Sequence, residues 1–400
     1  MLPVMKTHLK YMKRSSNQYL DGVLAIVKKI PREFWFIVCL FLITRSVLTF
    51  SGIFSRYIFS DTYNNWYEWR YDDRQWLDIW SVWDSGWYLD IAENGYSPVL
   101  NSDLPKKTVS GQSNIGFFPF YPILIKLTSY LTGDFHTSGI LISNISLLVS
   151  GYFLYRVVSL DFKKDLAKRS VIFLFLFPTS FVLSGIFSES VFLLLSILIF
   201  YTAKKNMWFQ SGILGLLLTT TRPTGVLILV PIVYLYLVQN RFKIKKSVLY
   251  FLFYPLGLML FSVYLYLILG DFFAYFHSKT NYWGFVVSDP FSVIINFLTY
   301  SFNTAVIGVF IVLTLALIVF LFRKRYISYA LFSLSIILIA LLNGPESALG
   351  IPRMSCAVFP LYISLAMVSD NRVMRNIIPV VSGVLQFVFM VFWSVGVLII

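Results

Sequence analysis

The chain has 400 residues, of which 58% are hydrophobic and only 13% charged, with a formal net charge of +14. A soluble domain carries roughly a quarter charged residues and needs polar cover, so this composition excludes a water-soluble globule and makes lipid the solvent. The basic residues fall in short clusters between apolar runs (Lys6 to Arg14, Lys163 to Arg169, Lys204 and Lys205, Arg241 to Lys246, Arg323 to Arg325, Arg372 to Arg375). That is the pattern of loops that orient membrane helices, not of a continuous nucleic-acid face.

A spanning helix needs roughly 20 mostly apolar residues. The first such run, Phe34 to Ile53, follows a basic leader and reads as a retained anchor, not a cleaved signal. A long loop, 54–136, comes next and holds interfacial helices, followed by a span at Gly139 to Leu160. Between Ser170 and Gln239 a nearly continuous apolar stretch is interrupted at Ser188-Glu189-Ser190, Lys204-Lys205-Asn206 and Thr221-Arg222-Pro223. These breaks predict about four short spans, partly buried in protein. Val248 to Leu269 precedes a second loop at 270–298, and further runs follow at Asn303 to Phe322, Tyr326 to Leu342, the shorter Ile351 to Met367, and Ile377 to Leu398. The expected fold is one all-α polytopic membrane domain, 1–400, with about 11 transmembrane helices.

Starting from a cytoplasmic N-terminus, alternating spans put every basic cluster inside, provided that Phe117 to Leu131 lies along or dips into the membrane. The external side then collects 54–136, Glu189, Arg222-Pro223, 270–298 and Asn343 to Arg353. Polar breaks of this kind line cavities, so an outward-facing cavity roofed by the first loop is expected.

The first loop sets Asp72, Asp73, Asp78, Asp84, Asp90 and Glu93 among Trp66, Trp69, Trp76, Trp80, Trp83 and Trp87. Trp80, Trp83 and Trp87 recur at helical spacing with Asp84 in the stripe. One reading is an amphipathic helix with its indoles at headgroup level. The other is a general base, because partial desolvation raises the basicity of a carboxylate. Glu189 is costly at membrane depth and so marks a function, and it also suits a helix first turn capped by Ser188; the two readings can hold together. Arg222 and Arg353, each beside a proline, suit phosphate binding or interfacial snorkelling. Cys39 and Cys356 read as small hydrophobes. His8, His136 and His277 are scattered and no zinc, redox or P-loop pattern occurs, while Asp72-Asp73 offers a weak place for a divalent cation.

Several segments together resemble the PIG-V family of mannosyltransferases. They are Trp83-Asp84-Ser85-Gly86-Trp87-Tyr88 with Ile91 to Tyr96, Phe117-Phe118-Pro119-Phe120-Tyr121-Pro122, Phe177-Pro178-Thr179-Ser180-Phe181 through Ser188-Glu189-Ser190, Thr221-Arg222-Pro223-Thr224-Gly225, and Pro352-Arg353 with Phe359-Pro360. Their order covers most of residues 80–365, although Met354 stands where the family has Tyr. The resemblance implies a GT-C bundle that transfers a sugar, with inversion, from a polyprenyl- or dolichyl-phosphate donor to a glycolipid or glycan acceptor. It makes Asp84 the catalytic base or a group that helps bind the reacting groups, with Trp83, Trp87, Tyr88, Glu189, Arg222 and Arg353 binding substrate and no nucleotide cofactor required. The chain is short for the eukaryotic enzymes, which points to a prokaryotic cell membrane and another acceptor. A lipid-linked saccharide flippase is the alternative; it needs openings to both faces, whereas here the polar breaks fall on one.

Overall fold

The computed structural model describes residues 31–59, 73–96 and 113–396. The readings at Lys6 to Arg14, Trp66, Trp69 and Asp72 lie outside them. Among the described residues the regular elements are all helical. The first are α1 (Arg32–Ile58), α2 (Gln75–Asp78), α3 (Ser85–Asn94), α4 (Phe120–Thr132), α5 (Phe135–Asp161) and α6 (Lys164–Leu176). The middle of the chain forms α7 (Glu189–Lys204), α8 (Trp208–Thr221), α9 (Leu229–Gln239), α10 (Phe253–Leu269), α11 (Ala274–Tyr282) and α12 (Pro290–Thr299). The last are α13 (Phe302–Arg323), α14 (Ile327–Leu342), α15 (Pro345–Leu349), α16 (Ile351–Ser355), α17 (Pro360–Val368) and α18 (Met374–Ser394). Short 3-10 turns run through Asn114–Gly116, Ser180–Ser184, Pro223–Ile228 and Lys246–Leu252. Helices α1, α5, α13, α18 and the Lys246–Leu269 segment are long and apolar enough to cross a membrane, and the chain is a polytopic membrane protein.

One end of the bundle is defined by ion pairs and ring contacts. Lys204 lies 2.8 Å from Asp161, joining α7 to α5. Arg169 reaches Asp370 at 2.8 Å and Arg375 pairs with Asp165, joining α6 to the α17–α18 turn. Lys164 stands 3.7 Å from Glu33 at the start of α1. The Tyr326 ring packs on Phe162, and Tyr236, bonded to the Lys245 carbonyl, packs on Trp208. The basic clusters from Lys163 onward therefore gather at one end, as an arrangement with all of them on one side of a membrane requires.

Between Lys164 and Gln239 the helices are short: 13 residues in α6, 16 in α7, 14 in α8 and 11 in α9. The most interior of them, α7, is buried along most of its length, so protein and not lipid surrounds it. Helix α6 stops where Pro178 forces Phe177 into an extended conformation (ψ 137°). The carbonyls released there are not abandoned. Arg45 of α1 donates to the oxygens of Phe175 and Ser180, each at 2.9 Å. Gln386 of α18 donates to Phe175 and Phe177, at 2.9 and 3.2 Å. A buried ion pair, Arg56 and Asp78 at 2.7 Å, fastens α2 to α1, and Arg56 Nε also caps the Ser394 carbonyl at 2.8 Å. The single span expected at Ile351 to Met367 is instead two helices, α16 and α17. The second restarts at Pro360, whose missing N–H is harmless only in a first turn. The segment 117–131 forms α4, 13 residues long and shorter than a spanning helix.

Replacing Arg45 by Met is predicted to remove one donor from each of the Phe175 and Ser180 carbonyls, at a cost of about 1–3 kcal/mol. Thermal unfolding in detergent is expected to start several degrees lower, and an unchanged midpoint would contradict the capping role.

Candidate functional site

Residues 79–84 do not continue the helix that the tryptophan spacing suggests. Trp83 adopts a left-handed φ of 56°, which no regular helix accommodates, and α3 begins only at Ser85. Trp80 accordingly does not face the surroundings of the protein; it is buried against Trp393. Asp84 occupies the N-cap position of α3 yet caps no amide. Its carboxylate instead meets Arg353 Nη1 at 2.6 Å.

Ser188 stands at the N-cap of α7, but the expected side-chain cap is absent: its hydroxyl bonds Tyr88 Oη at 2.9 Å. Glu189, in the first turn, is fully buried. Its Oε1 lies 2.9 Å from Arg222 Nη1 and 3.1 Å from Arg353 Nε. Arg222 is delivered by Pro223, which ends α8 and holds the preceding residue extended (φ −153°, ψ 141°). Arg353 is delivered by α16, where Thr179 Oγ1 donates to the Pro352 carbonyl at 2.7 Å and so ties this helix to the Pro178 break. The four residues form a continuous chain, Asp84–Arg353–Glu189–Arg222. An isolated buried carboxylate costs several kcal/mol, and two guanidiniums offset that cost here. Side-chain exposure separates the two acids: Glu189 is at 0% and Asp84 at 20%. Of the two acids, only Asp84 is reachable from outside the protein.

Trp87 stacks on Phe117 at 5.9 Å and meets Trp283 edge-on, while Tyr88 packs edge-on against Phe117. Trp83 packs against the same core. Burial pushes the Tyr88 phenol up to about 12, which keeps it protonated as a donor to Ser188 or a ligand. Among the described residues no group of three or more His, Cys, Asp or Glu side chains is arranged to hold a metal ion.

Lys279 is a participant that sequence reasoning missed. Its ammonium lies 4.3 Å from the Trp283 ring centre, 5.1 Å from Phe117, 5.5 Å from Phe285 and 5.9 Å from Tyr275. A lysine between Ser278 and Thr280 reads as an ordinary surface charge, and nothing local distinguishes it. Its loop is fixed by backbone bonds from Val286 to Asn343 (3.1 Å) and from Ser288 to Leu342 (2.9 Å). Gly344 permits this approach: its φ is 89°, and a Cβ there would lie 2.7 Å from the Val286 oxygen. Segments 270–298 and 343–353 thus form one wall beside Arg353.

Burial pushes the Lys279 ammonium down to about 7, with Arg353 and Arg222 adding to the fall and Asp84 opposing it. Lys279 is therefore charged below about 7 and loses its proton as pH rises through that value, far below an ordinary lysine near 10.4. The pH dependence of Lys279 reductive methylation is expected to show a midpoint near 7. A midpoint close to that of a free lysine would contradict the aromatic enclosure.

Residues 118–267, less than half of the chain, match the family model described as dolichyl-phosphate-mannose-protein mannosyltransferase. The matched stretch includes Glu189 and Arg222 and stops short of Asp84, Lys279 and Arg353. No curated protein matches the chain. The family match supports the GT-C superfamily and a glycosyltransferase with mannosyltransferase-like activity.

Proposed function

We propose that this protein transfers a sugar, mannose by its resemblances, from a polyprenyl- or dolichyl-phosphate donor to a hydroxyl of a glycolipid or glycan. The reaction takes place on the extracytoplasmic face, beneath the first loop. The observation that carries this reading is the Asp84–Arg353–Glu189–Arg222 chain, gathered from four distant segments at the end of the bundle opposite the basic clusters.

In this mechanism the acceptor oxygen attacks the anomeric carbon while the bond from that carbon to the phosphate oxygen breaks. The bonding electron pair leaves with the lipid phosphate, and the acceptor proton passes to Asp84. Attack from the face opposite the leaving group inverts configuration. Arg353 links the two halves of the reaction. It holds Asp84 in the resting site, and a donor phosphate competes for the same guanidinium, freeing the carboxylate as charge develops. Arg222 engages Glu189 through Nη1, leaving the rest of its fork for phosphate. Glu189, out of reach of bulk solvent, positions both arginines.

With polyprenyl-phosphate mannose and a membrane extract as acceptor source, Asp84→Asn is expected to slow transfer by on the order of 10²–10⁴-fold. Donor binding should change little, and wild-type turnover in the folded variant would remove Asp84 as base. Arg222→Lys is expected to weaken donor binding, because lysine lacks the planar fork. Unchanged donor affinity would take Arg222 out of the phosphate contacts.

A further inference from the structure

The loop that follows α9 is shaped at an energetic cost. Arg241 and Phe242 both take left-handed φ values, 51° and 59°, a conformation that suits glycine and disfavours larger side chains. The turn is nevertheless a complete helix cap. Arg241 N–H donates to the Val238 carbonyl at 3.2 Å and Phe242 N–H to the Leu237 carbonyl at 2.7 Å. In such caps an apolar residue at the Phe242 position often folds back onto its own helix. Here the ring points away: Phe242 is 73% exposed, and Ile244, two residues on, is 76% exposed. Tyr236 holds the loop from below. Its Oη donates to the Lys245 carbonyl at 3.0 Å and accepts from the Lys245 N–H at 2.8 Å, and its ring meets Trp208 and Phe251.

The remaining residues from 241 to 246 are Arg241, Lys243, Lys245 and Lys246, all exposed. No Asp or Glu occurs in the chain between Glu189 and Asp271. The acids that meet the other basic clusters at this end are already engaged: Asp161 by Lys204, Asp165 and Asp370 by Arg169, and Glu33 by Lys164. The four cations therefore stand without a counter-charge among the described residues. On either side of the loop, Val238 and then Leu249 and Leu252 are exposed, the last two in the Lys246–Leu269 segment that is long and apolar enough to cross a membrane. The loop is thus continuous with a lipid-facing surface. Apolar tips alternating with cations match the boundary between acyl chains and headgroups, and unneutralised cations favour headgroups of net negative charge. A soluble acidic partner would answer the cations but not the lipid-facing flanks.

We propose that residues 241–246 form a preshaped docking loop for anionic phospholipid. Phe242 and Ile244 enter the acyl-chain boundary of the leaflet at this end of the bundle, and the four cations lie among its phosphate headgroups. The backbone cost of the two left-handed residues is offset by what it presents, since a relaxed cap would fold the ring back onto α9. This site stands apart from the Asp84–Arg353–Glu189–Arg222 chain and does not rest on the transferase reading.

The test uses the full-length protein in phosphatidylcholine nanodiscs, with photoactivatable phosphatidylglycerol as the probe and cross-linked peptides located by mass spectrometry. Adducts are expected on the 241–246 loop, competed away by unlabelled phosphatidylglycerol and not by added phosphatidylcholine. Replacing all four cations (Arg241→Gln, Lys243→Gln, Lys245→Gln and Lys246→Gln) is expected to lower the adduct yield there by on the order of 10–100-fold. A second variant, Phe242→Ser with Ile244→Ser, keeps every charge that orients the spans and is expected to lower the yield by on the order of 10-fold. Wild-type yield in either inserted variant, or equal competition by phosphatidylcholine, would overturn the proposal. So would the absence of adducts on this loop, which is the result expected if a soluble acidic protein docks there instead.

Discussion

A backbone carbonyl released from a helix inside a bilayer has no water to turn to, and the architecture of this protein is organised around that constraint. At the Pro178 break, Arg45 and Gln386 reach in from α1 and α18 to satisfy the oxygens of Phe175, Phe177 and Ser180. Because the break is satisfied by protein, residues 177–188 can fold back through a 3-10 turn and start α7 in the interior. That start is what places Glu189 at depth. Helices α1 and α18, the first and last of the described spans, therefore hold the segment on which the candidate site is built.

Glu189 in turn organises the charges. One of its oxygens faces two guanidiniums, and the two arginines arrive from proline-governed breaks that have nothing else in common. Such an arrangement is stable only as a set, since removing either arginine exposes the buried carboxylate to a desolvation cost that the other must meet alone. Asp84 joins the chain from the first loop through Arg353 and remains the reachable acid. A rigid interior acid and an accessible outer one, sharing an arginine, suit a reaction in which a proton and a phosphate move at the same moment.

The wall formed by segments 270–298 and 343–353 depends on close backbone approach. Gly344 and the bonds from Val286 and Ser288 hold the segment that carries Lys279 and Trp283 against the segment that leads to Arg353, although the two are separated by α13 and α14. Movement of the second loop would therefore change the lysine cage and the arginine together.

Much of this was legible in the residue order. Apolar runs of spanning length, interrupted by Glu189, Arg222-Pro223 and Pro352-Arg353, determine a polytopic helical chain with polar breaks, because hydrocarbon admits backbone only as helix or as buried irregular structure. The same breaks, with Asp84, named the residues that meet in the site. Spacing misled where one left-handed residue, Trp83, interrupted a helical stripe, and where Ser188 found Tyr88 instead of its own helix. Lys279, Trp283 and Gly116 carried no local signal. Lys279 and Trp283 instead pack onto Gly116 and Phe117 across segments more than 160 residues apart in the chain. The sequence by itself determined which groups could not be left exposed to lipid. Only the tertiary structure decided which partners they found, because such pairing depends on distances of a few ångströms between segments that the order of residues does not set.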